Sequence, residues 1–125
     1  MWGVLWVALG GAIGSAARHG VNIGSARLLG TGFPSGTLTV NVLGSFFMGF
    51  VMALLLRKFE NNDAARLFLT TGILGGFTTF SAFSLDVFNL MQRGESGTAI
   101  IYVLSSVLLS VGALFAGFAA IRMLT

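Results

Sequence analysis

Gly72-Ile73-Leu74-Gly75-Gly76-Phe77-Thr78-Thr79-Phe80-Ser81-Ala82-Phe83-Ser84 is the stretch on which the fold turns. It sits inside a long apolar window, Leu67 to Met91, whose one charge is Asp86. About 20 apolar residues suffice to carry a helix across roughly 30 Å of hydrocarbon. Paired glycines followed by β-branched Thr78 and Thr79 are poor helix formers in the middle of such a span. One reading is a helix broken mid-membrane. The carbonyls and amides freed there are tolerated only if buried in protein or bound to an ion or water. The other reading is an intact helix that uses its glycines for packing.

Three further windows flank this one. Gly3 to about Ile23 is interrupted by Arg18 and His19, while Thr37–Leu56 and Thr98–Ile121 carry no charge. The connections are short. Gly30 to Ser35 contains Pro34, the one proline and a residue suited to a helix start. Glu60-Asn61-Asn62-Asp63 is a polar turn with a capping candidate, and Arg93-Gly94-Glu95-Ser96-Gly97 closes the third window. The reading is an all-α membrane protein: one domain over residues 1–125, four transmembrane helices at about 3–23, 37–56, 67–91 and 98–121. Met1 to Ser15 has no Lys or Arg and no small-residue cleavage site follows, so the N-terminus reads as a mature first helix.

Composition agrees. The chain is 55% hydrophobic and 9% charged, with mean hydropathy +0.91. A soluble domain of this size leaves too much of its area in water to hide that much apolar side chain. There is no cysteine, which excludes disulfides and thiolate metal sites. Net charge is +3, but the seven basic residues never run longer than Arg57-Lys58, so nucleic acid is not an expected partner. One membrane side would hold Arg57, Lys58, Arg66 and Arg122; the other Arg27, Arg93 and, if it reaches that surface, Arg18. So small a bias fits either a single orientation or insertion both ways, with two copies pairing antiparallel.

Glycine supplies 18 residues. Gly10, Gly11, Gly14 and Ser15 form a thin strip on helix one, Gly44, Ser45 and Gly49 on helix two, and Gly112 and Gly117 lie on helix four. Small residues let membrane helices approach closely, so a compact bundle and a dimer are expected. Polar groups at membrane depth need partners. Thr37, Asn41 and Ser45 share one face of helix two, and Tyr102, Ser106 and Ser110 share one of helix four. Both stripes are uncharged hydrogen-bonders. They are either glue between helices or a permeation path. Phe80 and Phe83 lie three apart with Ser81 and Ser84 beside them, and phenyl edges are electropositive. Donors and ring edges with so little acid suit an anion better than a cation. Arg18 either draws anions to a mouth or snorkels to headgroups. His19 and Asp86 are assigned no chemistry.

Gly10-Gly11-Ala12-Ile13-Gly14-Ser15-Ala16-Ala17-Arg18, Asn41-Val42-Leu43-Gly44-Ser45-Phe46 and Gly75-Gly76-Phe77-Thr78-Thr79-Phe80-Ser81 together resemble the Fluc (CrcB) fluoride channels. The resemblance covers the whole chain. It implies a passive, fluoride-selective channel in the bacterial inner membrane, exporting fluoride through two pores of an antiparallel, dual-topology homodimer. It implies that Asn41, Phe80 and Phe83 line the fluoride path, with Ser81 and Ser84 beside them. It sets Tyr102, Ser106 and Ser110 on a polar track, with Thr37 nearby. It also implies a structural Na⁺ at the dimer centre, held by the backbone carbonyls of Gly75 and Thr78 from each subunit. Many relatives have Thr where this chain has Ala82, so one hydroxyl of the track is missing.

The main rival is a small multidrug-type four-helix exporter. Such a protein needs a membrane-embedded carboxylate in helix one, and none is present. A non-transporting assembly factor would explain the glycines but not the two neutral stripes. An enzyme is not expected, because no nucleophile–base pair or metal cluster is visible.

Overall fold

The computed structural model describes residues 2–57 and 62–124. Lys58, Glu60 and Asn61, which entered the loop-charge and turn readings, lie outside the described residues. Those described form helices and connections, with no strand among them. Helix α1 runs Trp2–Leu29, α2 Ser35–Arg57, α3 Asp63–Arg66, α4 Gly75–Phe77, α5 Phe80–Gln92 and α6 Ser96–Leu124; a π-helical segment, Leu67–Leu74, joins α3 to α4.

The helix ends follow local chemistry. The first helix runs past Ile23 because nothing in Gly24–Leu29 stops it. It ends where Gly30 turns to φ 79° and donates to the Ala26 carbonyl at 3.0 Å. Only glycine takes that conformation without strain. The Pro34 carbonyl accepts the first bond of α2 from Leu38. Asn62 caps α3 by accepting the Ala65 N–H at 2.9 Å. Gly94, at φ 76°, ends α5. The Arg93 side chain then ties the third connection to the first, through Glu95 at 2.9 Å and the Gly32 carbonyl at 2.8 Å.

Glycine sets the packing. A Cβ on Gly10 would press on the backbone of Gly72 and Ile73, and one on Gly14 would overlap the Ile73 carbonyl. α1 therefore lies directly on the π-helical segment and α4. Likewise Gly49 faces the Leu114 carbonyl and Gly117 the Phe46 carbonyl, so α2 and α6 meet backbone to backbone. Gly11 and Gly112 differ: added methyl groups there would enter open space.

The buried core is small. Tyr102, Leu90 and Ala99 form its tightest cluster, with Phe33, Leu38, Phe83 and Val87 against it. Large apolar side chains such as Trp2, Leu28, Phe115 and Met123 are more than two-thirds exposed. Ser35–Leu56, the run Asp63–Gln92 and Ser96–Leu124 are long and apolar enough to cross a membrane. Helix α1 has the length, at 28 residues, but falls short of them in apolarity because of its small and charged residues.

Candidate functional site

The site is built where helical winding stops. After Phe77 the backbone goes extended, at φ −88°, ψ 160° for Thr78 and φ −155°, ψ 127° for Thr79, and α5 begins at Phe80. Several of the groups at the break have visible partners. The Leu74 carbonyl accepts both the Thr78 N–H at 3.1 Å and the Thr78 hydroxyl at 2.9 Å. Asn41, reaching from α2, accepts the Thr79 N–H at 2.8 Å and donates to the Thr79 carbonyl at 3.0 Å. Thr79 Oγ1 accepts the Ala82 N–H at 3.1 Å and so caps α5. Arg18, half-buried on α1, donates through Nε to the Gly76 carbonyl at 3.1 Å.

The carbonyls of Gly75, Gly76, Phe77 and Thr78 leave the α-helical pattern at the break, and for Gly75 and Thr78 the lost donor can be followed. A continued α-helix would give the Gly75 carbonyl the Thr79 N–H, and the Thr78 carbonyl the Ala82 N–H. Both donors are engaged elsewhere, by Asn41 and Thr79 Oγ1. These are the carbonyls that the family resemblance implies as cation ligands. Among the described residues there is no cluster of three His, Cys, Asp or Glu for a metal.

Beside the break lies a cavity of about 420 Å³. Asn41, Ser45, Thr79, Phe80, Phe83, Ser106 and Ser110 are among its lining residues. Phe80 and Phe83 stack at 5.5 Å, tilted by 47°, with Phe80 78% exposed. The Ser106 and Ser110 hydroxyl oxygens are buried and have no hydrogen-bond partner. Other hydroxyls are occupied: Ser84 donates to Phe80, Thr70 to Arg66 and Thr78 to Leu74, each through a backbone carbonyl one turn back. Ser81 is exposed, with its Oγ 3.3 Å from Thr79 Oγ1.

A second cavity, of about 310 Å³, opens toward the first and third connections. Thr37, Ala82, Asp86, Asn89 and Arg93 line it. Tyr102 lies between residues of the two cavities, Phe83 of the first and Asp86 of the second. Its ring packs on Phe83 at 5.2 Å, and its buried hydroxyl donates to Asp86 Oδ2 at 2.9 Å.

The expected residues thus fall into groups. Asn41, Phe80, Phe83, Ser106 and Ser110 share one cavity. Thr37 lines its neighbour, and Tyr102 packs between Phe83 and Asp86. Arg18, Gly75 and Thr78 gather at the break. Sequence reasoning left Asp86 without a partner and missed Thr79 as the hub of the break. The signal for the first was present: a carboxylate in an apolar run requires a donor, and Tyr102 is the one phenol in the chain.

A family model described as CrcB-like protein, Camphor Resistance (CrcB) matches residues 5–118. The chain belongs to the CrcB family. Curated relatives of this CrcB chain include a protein of Cereibacter sphaeroides, 56% identical over 95% of the chain and 94% of the relative. Another, of Agrobacterium fabrum, is 50% identical over 95% of each. A third, of Chelativorans sp., is 54% identical over 94% of each. All three are named fluoride-specific ion channel FluC.

Proposed function

We propose that this CrcB-family chain is a passive fluoride channel, and one observation carries the reading. Two buried hydroxyls, Ser106 and Ser110, are left without protein partners on the wall of a cavity rimmed by Phe80 and Phe83. A buried hydroxyl without a partner destabilises the fold by about 1–3 kcal/mol. A small anion that shed its water would accept from both. Phenyl edges continue the path without a bond tight enough to hold the ion. No acidic side chain lines this cavity, so nothing there repels an anion or stores a proton for coupled transport.

The path is open on one side in a single chain, and a second copy closes it. Two copies inserted in opposite orientations, each crossing a bacterial inner membrane four times, would form two parallel pores. The weak loop-charge bias and the strongly exposed apolar surface support this arrangement. With four crossings, the extended pair Thr78–Thr79 falls mid-membrane. The Gly75 and Thr78 carbonyls there fit a cation: both lack helical partners, and hard alkali ions take oxygen ligands. Doubled across the dimer axis they would hold a structural Na⁺. When bound, the ion supplies fixed positive charge and a link between the copies.

The multidrug-exporter alternative needs an acid in the first helix, and α1 contains neither Asp nor Glu. The test is purified protein in liposomes read by a fluoride electrode. Rapid fluoride release with chloride retained is expected. Proton-driven drug efflux without fluoride flux would overturn the proposal.

A further inference from the structure

Arg18 was open to two readings from sequence, a lure for anions or a snorkelling side chain, and its geometry fits neither. Gly10, Gly14 and Arg18 fall at i, i+4 and i+8 on α1, hence on one face. That face lies on the third helical run: Gly10 against Gly72 and Ile73, Gly14 against Ile73 and Phe77, and Arg18 on Gly76. The two glycines bring α1 close enough for Nε to meet the Gly76 carbonyl at 3.1 Å. The Gly75-Gly76 pair has no side chains to restrict its backbone and, with Phe77, leads into two extended residues. A free glycine pair would let the Gly75 carbonyl swing. Asn41 fixes the far side of the break at Thr79. On the Gly75-Gly76 side the Thr78 hydroxyl bonds the Leu74 carbonyl, and Arg18, reaching from another helix, holds the Gly76 carbonyl.

From this we infer that Arg18 is a positioning residue for the cation site. By holding the Gly76 carbonyl it fixes the neighbouring peptide plane and aims the Gly75 carbonyl at the dimer axis. The inference rests on the proposed Na⁺ site. It also runs against simple electrostatics, since a guanidinium charge near a cation site repels the cation. Removing that charge would tighten cation binding if charge alone mattered. Removing the hydrogen bond loosens it if positioning dominates. The two ideas therefore predict shifts of opposite sign.

The experiment is the melting temperature of the purified dimer against NaCl, at constant ionic strength made up with N-methylglucamine chloride. Arg18→Gln loses the charge and shortens the donor, Arg18→Lys keeps the charge but loses the planar N–H, and Arg18→Ala loses both. A charge-assisted hydrogen bond is worth about 1.5–3 kcal/mol, so Arg18→Ala should raise the Na⁺ concentration at half-effect about tenfold or more. Gln and Lys should fall between Ala and wild type. If Arg18→Ala yields no dimer in low Na⁺, recovery at high Na⁺ gives the same result, and Gln and Lys supply the midpoints. Unchanged or lower midpoints in all three variants overturn the inference while leaving the Na⁺ site standing. A wild-type protein indifferent to Na⁺ overturns both.

Discussion

Asn41→Asp separates the two roles that the structure gives Asn41. The side-chain amide donates to the Thr79 carbonyl at 3.0 Å and accepts the Thr79 N–H at 2.8 Å. An aspartate keeps the second bond. It replaces the first with two acceptors facing each other, which destabilises by about 1–3 kcal/mol. The same carboxylate stands on the wall of the cavity assigned to fluoride. At an effective dielectric near 20, like charges about 5 Å apart repel by about 3 kcal/mol. That lowers the local fluoride population by about two orders of magnitude. Efflux from liposomes, read with a fluoride electrode, should fall about a hundredfold. Asn41→Leu is the companion variant, since it removes both hydrogen bonds without adding charge. It should lower the melting temperature more than Asn41→Asp does and suppress flux less for each folded dimer. Aspartate flux within about twofold of wild type, from protein of normal melting temperature, would refute the placing of Asn41 on the path.

Other variants test other parts of the structure. Gly117→Ala and Gly49→Ala drive a methyl group into the carbonyls of Phe46 and Leu114. Backbone cannot yield as a side chain does, so each should lower stability by about 1–3 kcal/mol or more in thermal melts. Gly112→Ala meets open space in a single chain; it should spare the fold and weaken dimer recovery on size exclusion, where small residues allow close approach. Ser106→Ala and Ser110→Ala remove hydroxyls with no protein partner, so fluoride flux should drop with the melting temperature unchanged or slightly raised. Tyr102→Phe strips Asp86 of its donor and should cost about 1–3 kcal/mol in the same melts.

Much of this is legible in the chain itself because membrane burial makes polar residues informative. The serines of α6 could be placed on one face by spacing alone. The glycines that set α1 on the third run could be read as packing residues. What spacing cannot supply is which polar group meets which. Thr78, Ser84, Ser106 and Ser110 are all hydroxyls in apolar helices, yet the first two bond carbonyls on their own helices and the last two do not. That depends on rotamers and on neighbouring helices, neither of which is local. The π-helical segment was also invisible. Leu67–Leu74 has the composition of any apolar helix, and it winds wider over the stretch where Gly72 meets Gly10. The mean hydropathy of a window likewise hid a difference of kind. The first helix exchanges apolarity for small residues and Arg18 because one face of it meets protein rather than lipid.

The break and the polar wall are one arrangement. Extended Thr78 and Thr79 require a partner for the Thr79 peptide, and Asn41 is that partner. Meeting this need fixes Asn41 at the cavity edge, one turn from Ser45 and across from Ser106 and Ser110. Where α5 restarts at Phe80, winding sets Phe83 one turn on, against Tyr102. Tyr102 is in turn held by Asp86 at the next cavity. Donors bound by neighbouring groups thus form the frame, and donors left unbound line the cavity. A continuous helix through Thr78 and Thr79 would reverse this. Their peptides would bond within the helix, the Asn41 amide would lose its partner, and Phe80 would turn away from the serines of α6. The two non-helical residues are therefore the condition for the proposed anion path as well as for releasing the Gly75 and Thr78 carbonyls from helical bonding.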